Sequence, residues 1–273
     1  NKYKQFVSVE NGLPPAAAIC ANTKPEWDCA ASRGVFKRTE DCYMWSQVVL
    51  TGDLSIVGKE NLHTKLVAAP NSRHFLIDAG NPILTLRWLN ITGGMMTALG
   101  IYSSQLTMLN CIVSGNYGDY GGGVICEGSV KCVFANVSFI NNKAIHGGAV
   151  FFGGGQHVVE ECIFLRNEAN YGGAVDNNHA IVNISGSTFV NNTAISGESV
   201  RTYGRKGDGS GRGVTIISLC KIEQFASALF LVDRYSLLQV TESILATSRS
   251  TKTKQLFEAW NLAHFVPEVV SIN

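Results

Sequence analysis

Several features that mark other classes of protein are absent from this sequence of 273 residues. Neither sign of charge is in excess, since 22 Lys and Arg residues stand against 21 Asp and Glu residues, whereas a nucleic-acid or anionic-membrane surface needs a clear basic excess. No apolar stretch reaches the ~18 to 20 residues of a membrane-spanning helix. Proline is scarce at 6 and glycine abundant at 28, which indicates many tight turns rather than disorder. We therefore expect a folded chain without a nucleic-acid partner and without membrane insertion.

A phrase that recurs at a fixed interval is the most informative feature that is present. FINNKAIHGGAV begins at Phe139, FLRNEANYGGAV at Phe164 and FVNNTAISGESV at Phe189, and a looser copy, VSGNYGDYGGGV, begins at Val113. The four starts are separated by 26, 25 and 25 residues. A period in this range is typical of a repeat architecture.

Each repeat has the pattern of short strands joined at polar or glycine-rich corners. The side chains before Phe139 alternate between two faces, as in a strand with one buried side. No helical stripe of useful length appears in the repeats. Short strands that return to the same phase can pair in parallel with their counterparts one turn away. The sequence therefore predicts an all-β fold, a parallel solenoid with coils of ~25 residues.

In such a coil, repeated residues lie above one another as stacks. One stack is expected inside the core, and a ladder of asparagine amides that bond to one another is expected at a corner. The Gly-Gly pairs that follow fit a corner that needs positive φ or a close approach of backbone. The core stack comprises Val113, Phe139, Phe164 and Phe189, and the asparagine ladder comprises Asn116, Asn142, Asn167 and Asn192.

The repeat pattern divides the chain into three parts. Strand-and-turn phrases run through residues 45–250, which we predict to form the β-helix. Residues 1–44 are a cysteine-bearing segment that is expected to cap the first coil or to take part in assembly. Residues 251–273 lose the pattern and are expected to cap the other end, because an unpaired terminal coil presents strand edges.

The cysteines of the chain favour disulfides over a metal site. Cys20, Cys29 and Cys42 lie in an irregular segment whose spacing is not CxxC and which holds no histidine. Cys126 and Cys132 flank a short turn and could be bridged across it. The other three, Cys111, Cys162 and Cys220, are interpreted as buried small residues, because Cys111 and Cys162 would lie two turns apart, too far for a disulfide.

Four N-glycosylation sequons, like the predicted disulfides, indicate an extracellular protein. Each is an Asn-X-Ser/Thr tripeptide, which is weak evidence alone because these residues are common. Together with the cysteines they predict a secreted glycoprotein, extracellular or at the cell surface. The candidate acceptors are Asn90, Asn136, Asn183 and Asn191.

The repeats resemble those of a known family. FINN, FLRN and FVNN fit an FxxN motif, and GGAV fits a GGA(I/L/V) motif; both define the repeats of polymorphic outer-membrane proteins. The phrase FLIDAGNPILTLRWLNITGG is similar to the pectin-lyase-like superfamily. The resemblance implies a right-handed parallel β-helix, and a surface protein used in adhesion. The repeat motifs cover about residues 110–200.

One pair of residues is a weak candidate for a surface site. Asp176 and Arg201 hold the same position in successive repeats, so they are expected to be neighbours on an exterior face, with His179 close by. We interpret them as a surface ion pair, and part of an active or binding site is the alternative. A second column of equivalent positions comprises Tyr120, His146, Tyr171 and Ser196. Its aromatic rings could bind a sugar, or the column could be only a solvent-exposed corner.

No catalytic pattern stands out from the sequence. The NTD, DD, GHG and RIK segments of polygalacturonase-like enzymes are missing, and no acidic cluster resembles the calcium site of the lyases. We therefore expect no catalytic residue, cofactor or metal. The predicted function is a non-enzymatic structural or adhesive protein, a glycosylated subunit of a surface fibre, appendage or matrix. Its expected partners are copies of itself at the coil ends, other extracellular proteins or glycans. The alternative is a polysaccharide-binding or polysaccharide-cleaving protein.

Overall fold

The structure is a computed structural model, and it describes residues 7–9, 28–30, 35–37, 41–44, 47–50, 52–204, 213–224, 230–232, 236–247 and 257–259. These residues form an all-β parallel solenoid of roughly seven turns, with strands stacked about 25 residues apart. The predicted fold class is confirmed. Within the same residues there is no helix long and apolar enough to cross a membrane.

Three sheets, called A, B and C in the order in which each turn visits them, form the walls of the solenoid. Sheet A contains, in spatial order, Val7–Val9, Val48–Leu50, Phe75–Ile77, Leu99–Ile101, Val124–Glu127, Val150–Gly153, Val175–Asn178, Val200–Tyr203, Phe230–Val232 and Phe257–Ala259. Sheet B contains Asp28–Ala30, Val35–Lys37, Leu54–Val57, Ile83–Arg87, Gln105–Leu109, Lys131–Ala135, Gln156–Glu160, Ile181–Ser185, Gly213–Ser218 and Ser236–Thr241. Sheet C contains Cys42–Tyr43, Thr64–Val67, Leu89–Thr92, Ile112–Ser114, Ser138–Ile140, Ile163–Leu165, Thr188–Val190, Lys221–Gln224 and Ile244–Thr247.

Pairing between strands is parallel, with one exception among the described strands. Asp28–Ala30 runs antiparallel to Val35–Lys37 at the start of sheet B. The strand Val7–Val9 lies in the N-terminal segment, yet it pairs in parallel with Val48–Leu50 and extends sheet A. The proposed boundaries at residues 44 and 250 stay predictions.

Alternate residues of each strand point into a narrow apolar core. Val113, Phe139, Phe164 and Phe189 are paired rung by rung in sheet C and are fully buried. The rings of Phe139 and Phe164 are stacked with centroids 5.0 Å apart, and those of Phe164 and Phe189 with centroids 4.6 Å apart. Burying each such ring contributes about 1.5–3 kcal/mol, so the column is a main source of cohesion between turns.

The four asparagines of the ladder lie buried where sheet C leads towards sheet A. The amide nitrogens of Asn116, Asn142 and Asn167 each donate to the amide oxygen one turn ahead, over 3.0, 3.1 and 2.9 Å. The same oxygens accept a second bond from the backbone N–H of the preceding ladder residue. The second amide hydrogen goes to a backbone carbonyl, as from Asn142 to Val113. In Asn116, Asn142 and Asn167 both amide hydrogens and the amide oxygen therefore have partners.

From Trp88 onwards, the chain bends from sheet B into sheet C through one residue with positive φ in each turn. This conformation is uncommon for residues other than glycine, and asparagine tolerates it best. Its φ lies between 47° and 57° at Trp88, Asn110, Asn136, Glu161, Gly186, Leu219 and Glu242.

Candidate functional site

The predicted site residues lie on the outer face of sheet A. Ile125, Phe151, Asp176 and Arg201 follow one another in register on successive strands. Asp176 is thus flanked along the column by Phe151 on one side and Arg201 on the other. A carboxylate at this position needs partners if it is removed from water.

Both oxygens of the Asp176 carboxylate have a partner. Arg201 Nε lies 2.9 Å from one oxygen, and His146 Nδ1 lies 3.0 Å from the other. His146 comes from the segment between sheets C and A one turn earlier, so three successive turns meet at this carboxylate. The side chain of His146 is 21% exposed, while the side chain of Asp176 is 0% exposed.

The structure corrects the expectation that Asp176 and Arg201 form a surface pair. Residue Asp176 is 0% exposed and Arg201 is 9% exposed. The reason is that the segment between sheets C and A folds across the outer face of sheet A. Tyr120 packs edge-on against Phe151 with centroids 4.9 Å apart, and the Arg201 guanidinium lies 4.4 Å from the centre of the Tyr171 ring.

The column of rings in that segment is continuous. Tyr120 and His146 are stacked with centroids 4.8 Å apart and an interplanar angle of 6°, and His146 and Tyr171 with centroids 5.0 Å apart and 19°. Arg201 continues the stack beyond Tyr171. The faces between neighbouring rings are therefore covered, and the Arg201 guanidinium covers a further face of Tyr171. A sugar platform needs free faces, and this stacking takes up both faces of the His146 ring. Ser196 pairs with Tyr171 in the same column.

Tyr203 belongs to the same cluster and was not singled out from the sequence. The centre of its ring lies 4.1 Å from the Arg201 guanidinium. Burial raises the pKa of the Tyr203 hydroxyl to about 12, and the nearby Asp176 carboxylate adds to the rise. The strand period of two residues, which puts Arg201 and Tyr203 on one face, was the signal available.

His179 lies at the edge of this cluster. Its ring centroid is 6.0 Å from that of Tyr203, and its backbone N–H donates to the Tyr203 carbonyl. The structure thus brings His179 near Arg201 through Tyr203. The direct partners of Asp176 are His146 and Arg201.

The bridge between Cys126 and Cys132 is present as a disulfide. It joins sheet A to sheet B inside the core. The predicted disulfides of Cys20, Cys29 and Cys42 involve side chains outside the described residues. Cys111, Cys162 and Cys220 are buried free thiols, as the sequence predicts, and burial raises their pKa values to about 12, 12 and 11. Such thiols are poor nucleophiles.

One group among the described residues has side chains spaced closely enough to hold a metal ion. The donor atoms of Cys126, Cys132 and His157 lie within 4.8 Å of one another. The two sulfurs are bonded to each other, however, and both ring nitrogens of His157 are engaged, with the Gly154 carbonyl and the Cys132 N–H. Burial lowers the pKa of His157 to about 4. In this bonding state the group stabilises the core and offers no free ligand.

The sequons lie on two walls of the solenoid and the corners that border them. Asn183 is exposed on the outer face of sheet B, and Asn136 is exposed at the corner between sheets B and C. Asn90 is partly buried in sheet C and accepts a bond from Ser114. Asn191 is partly buried just after a strand of sheet C. None of the four acceptors lies on the covered outer face of sheet A.

No protein-family model, curated protein or solved structure matches this chain. The resemblance to the pectin-lyase-like superfamily and to polymorphic outer-membrane repeats therefore stays a prediction. The parallel solenoid itself is supported by the strand pairing alone.

Proposed function

We propose that this chain is a structural or adhesive rod of an extracellular assembly, a glycosylated subunit of a surface fibre, appendage or matrix. One observation carries the proposal. The most promising carboxylate, Asp176, is fully buried and bonded to Arg201 and His146. Its charge is thus used to tie three turns together, which favours a mechanical role over contact with a ligand.

Bonds between turns along sheet C and along the corner between sheets C and A support the same role. The asparagine ladder, the phenylalanine stack and the Tyr120–His146–Tyr171 column each connect consecutive turns. A bend that separates the turns on this side of the rod would have to open these columns together. A rod of this kind resists bending and suits a load-bearing position.

Glycosylation and end-to-end contact complete the proposal. Asn136 and Asn183 are exposed, so an oligosaccharide could be attached to either without opening the core. A parallel solenoid also ends in strand edges, to which a further strand can add. We infer that the partners are further copies at the coil ends, or other extracellular proteins.

Electron microscopy of the native, purified protein tests this proposal. The expected result is filaments in which subunits touch through their terminal coils, with additional density at Asn90, Asn136, Asn183 and Asn191. Enzymatic removal of N-linked sugars should abolish that density and leave the rod intact. Isolated, monodisperse rods without attached sugar at any of the four sites would contradict the proposal.

A polysaccharide-binding or polysaccharide-cleaving role is the second candidate, and His146 favours it. A histidine held by a buried aspartate, with part of its ring exposed, is an arrangement that general bases use. The discriminating variant is Asp176→Asn. We expect it to lower the free energy of unfolding by about 3–5 kcal/mol, because it breaks a buried ion pair, and to change no activity on acidic polysaccharides.

The control for this variant is Glu168→Gln. Glu168 pairs with Lys143 across one turn at 2.6 Å, but both side chains are more than half exposed, so we expect no measurable change in stability. Cleavage of a polysaccharide by the wild-type chain, lost in Asp176→Asn and kept in Glu168→Gln while both variants stay folded, would establish the second candidate instead.

A further inference from the structure

The segment between sheets C and A forms a raised ridge along the solenoid. In four successive turns it comprises residues 117–120, 143–146, 168–171 and 193–196, which we call the corner ridge. Parallel bridges connect its members, from Tyr120 to His146 and from His146 to Tyr171, and the last two segments form a small two-stranded sheet. The ridge is thus a continuous, regular surface rather than a set of separate loops.

The corner ridge exposes large apolar side chains in every turn. Ile195 is 82% exposed, Tyr120 45%, Tyr117 41%, Ile145 40% and Tyr171 38%. Single exposed apolar residues are normal on a protein surface, but a contiguous row marks an interaction surface. This row lies on consecutive turns about 4.8 Å apart, so it forms one stripe.

Charges on the stripe alternate in sign along the axis. Lys143 and Glu168 hold the same position in adjacent turns, and their side chains are 54% and 55% exposed. The next segment, Thr193–Ser196, carries no charge. The preceding segment carries Asp119, which is exposed. The stripe therefore has a positive and a negative turn at its centre.

We propose that a second copy of this chain docks on the corner ridge, side by side and antiparallel. The two-fold axis would pass between the turn of Lys143 and the turn of Glu168. Lys143 and Glu168 pair with each other at 2.6 Å within each copy. In this arrangement the pair of one copy lies against the pair of the other with its signs reversed, so the central charges are complementary. Ile195 of each copy falls between Tyr117 and Tyr120 of the other, and Asp119 faces the uncharged segment Thr193–Ser196.

The charges select this orientation over the parallel one. A two-fold axis along the rod would place each turn against the same turn of the second copy. Lys143 would then lie in the turn opposite Lys143, and Glu168 in the turn opposite Glu168. Like charges in an interface oppose association. The contact is lateral and does not depend on the proposed contacts at the coil ends.

Sedimentation velocity over a range of protein concentrations tests the contact. We expect a reversible dimer of the wild-type chain, and at least about a tenfold weaker dimer for Ile195→Glu, because the new carboxylate would lose water against two tyrosines. The matched control is Ile181→Glu, since Ile181 is 42% exposed on the outer face of sheet B. The control should leave the dissociation constant unchanged.

A cysteine experiment tests the antiparallel register. The variants Tyr117→Cys and Ile195→Cys are mixed under a mild oxidant, with the wild-type chain as the background control. The mixture should give a disulfide-linked dimer, whereas Ile195→Cys alone should not. Its two copies would be three turns, about 14 Å, apart along the axis, and a disulfide needs Cα atoms within about 7 Å.

Three outcomes would overturn the inference. The first is a monomer at every concentration. The second is a dimer that Ile195→Glu leaves intact or that Ile181→Glu disrupts equally. The third is a linked dimer of Ile195→Cys alone, which would require parallel pairing. Loss of the lateral dimer together with retained filaments would separate this contact from the proposed end-to-end assembly.

Discussion

Each asparagine of the ladder repeats the bonds of the asparagine one turn away, and this repetition is what makes a buried amide tolerable. An isolated amide in an apolar core would leave donors or acceptors without partners, at a cost of about 1–3 kcal/mol each. In the ladder, Asn142 accepts from Asn116 and donates to Asn167. The stability of one residue therefore depends on the identity of its neighbours in the column.

Asn142→Ala removes few atoms, but it should strongly destabilise the folded chain. The change removes the acceptor for two donors of Asn116 and the donor to the Val113 carbonyl. We expect the free energy of unfolding in urea to fall by about 3 kcal/mol or more. Asn170→Ala, at an exposed position of the corner ridge, should change it by no more than about 0.5 kcal/mol. Equal effects of the two variants would argue against a cohesive ladder.

At the scale of elements, the Gly-Gly pairs connect the corner ridge to the strands of sheet A. The first glycine of each pair has positive φ, for example 63° at Gly147 and 62° at Gly172. The second is needed for space: a Cβ on Gly148 would lie 2.7 Å from the Glu168 carbonyl oxygen and closer still to that of Gly173. Both reasons that the sequence suggested for these pairs are confirmed.

Gly148→Ala tests only whether there is space for a Cβ, since the φ of Gly148 is not positive. The added methyl would collide with rigid backbone of the next turn, so we expect a loss of several kcal/mol or failure to fold. Gly80→Ala is the comparison, because Gly80 has φ of 82° but open space around it. It should lose only about 1–2 kcal/mol from backbone strain. Thermal unfolding of both variants measures the difference, and a milder effect at Gly148 would contradict close packing of the turns.

At the scale of the whole molecule, two buried histidines make stability depend on pH. Burial lowers the pKa of His74 to about 4 and that of His157 to about 4, from an ordinary value of 6.5. The unfolded chain therefore binds more protons than the folded chain between pH 6.5 and 4. Stability from these residues is present above pH 6.5 and is lost as the pH falls towards 4.

Unfolding in urea at pH 7 and pH 5 measures this effect. We expect a loss of about 2 kcal/mol per histidine between the two values. His157→Phe keeps a ring to stack on Phe152, which lies 4.3 Å away, and should remove about half of the pH dependence. An unfolding free energy that is the same at pH 7 and pH 5 would show that these histidines titrate alike in both states.

The period of the sequence was sufficient to predict the solenoid and its internal columns. Phe139, Phe164 and Phe189 must stack once residues 25 apart pair in parallel, and the same holds for the asparagines. The disulfide between Cys126 and Cys132 followed from their positions on either side of a short turn. These features depend on sequence distance along one coil, which a single sequence records directly.

The sequence by itself determined which residues share a column, and only the tertiary structure decided which columns are covered. Asp176 and Arg201 are neighbours by period, yet nothing in the period states that Tyr120, His146 and Tyr171 cross the outer face of sheet A and exclude water from them. Burial depends on where a connecting segment folds in space. That is set by packing between turns and not by the spacing of residues within one.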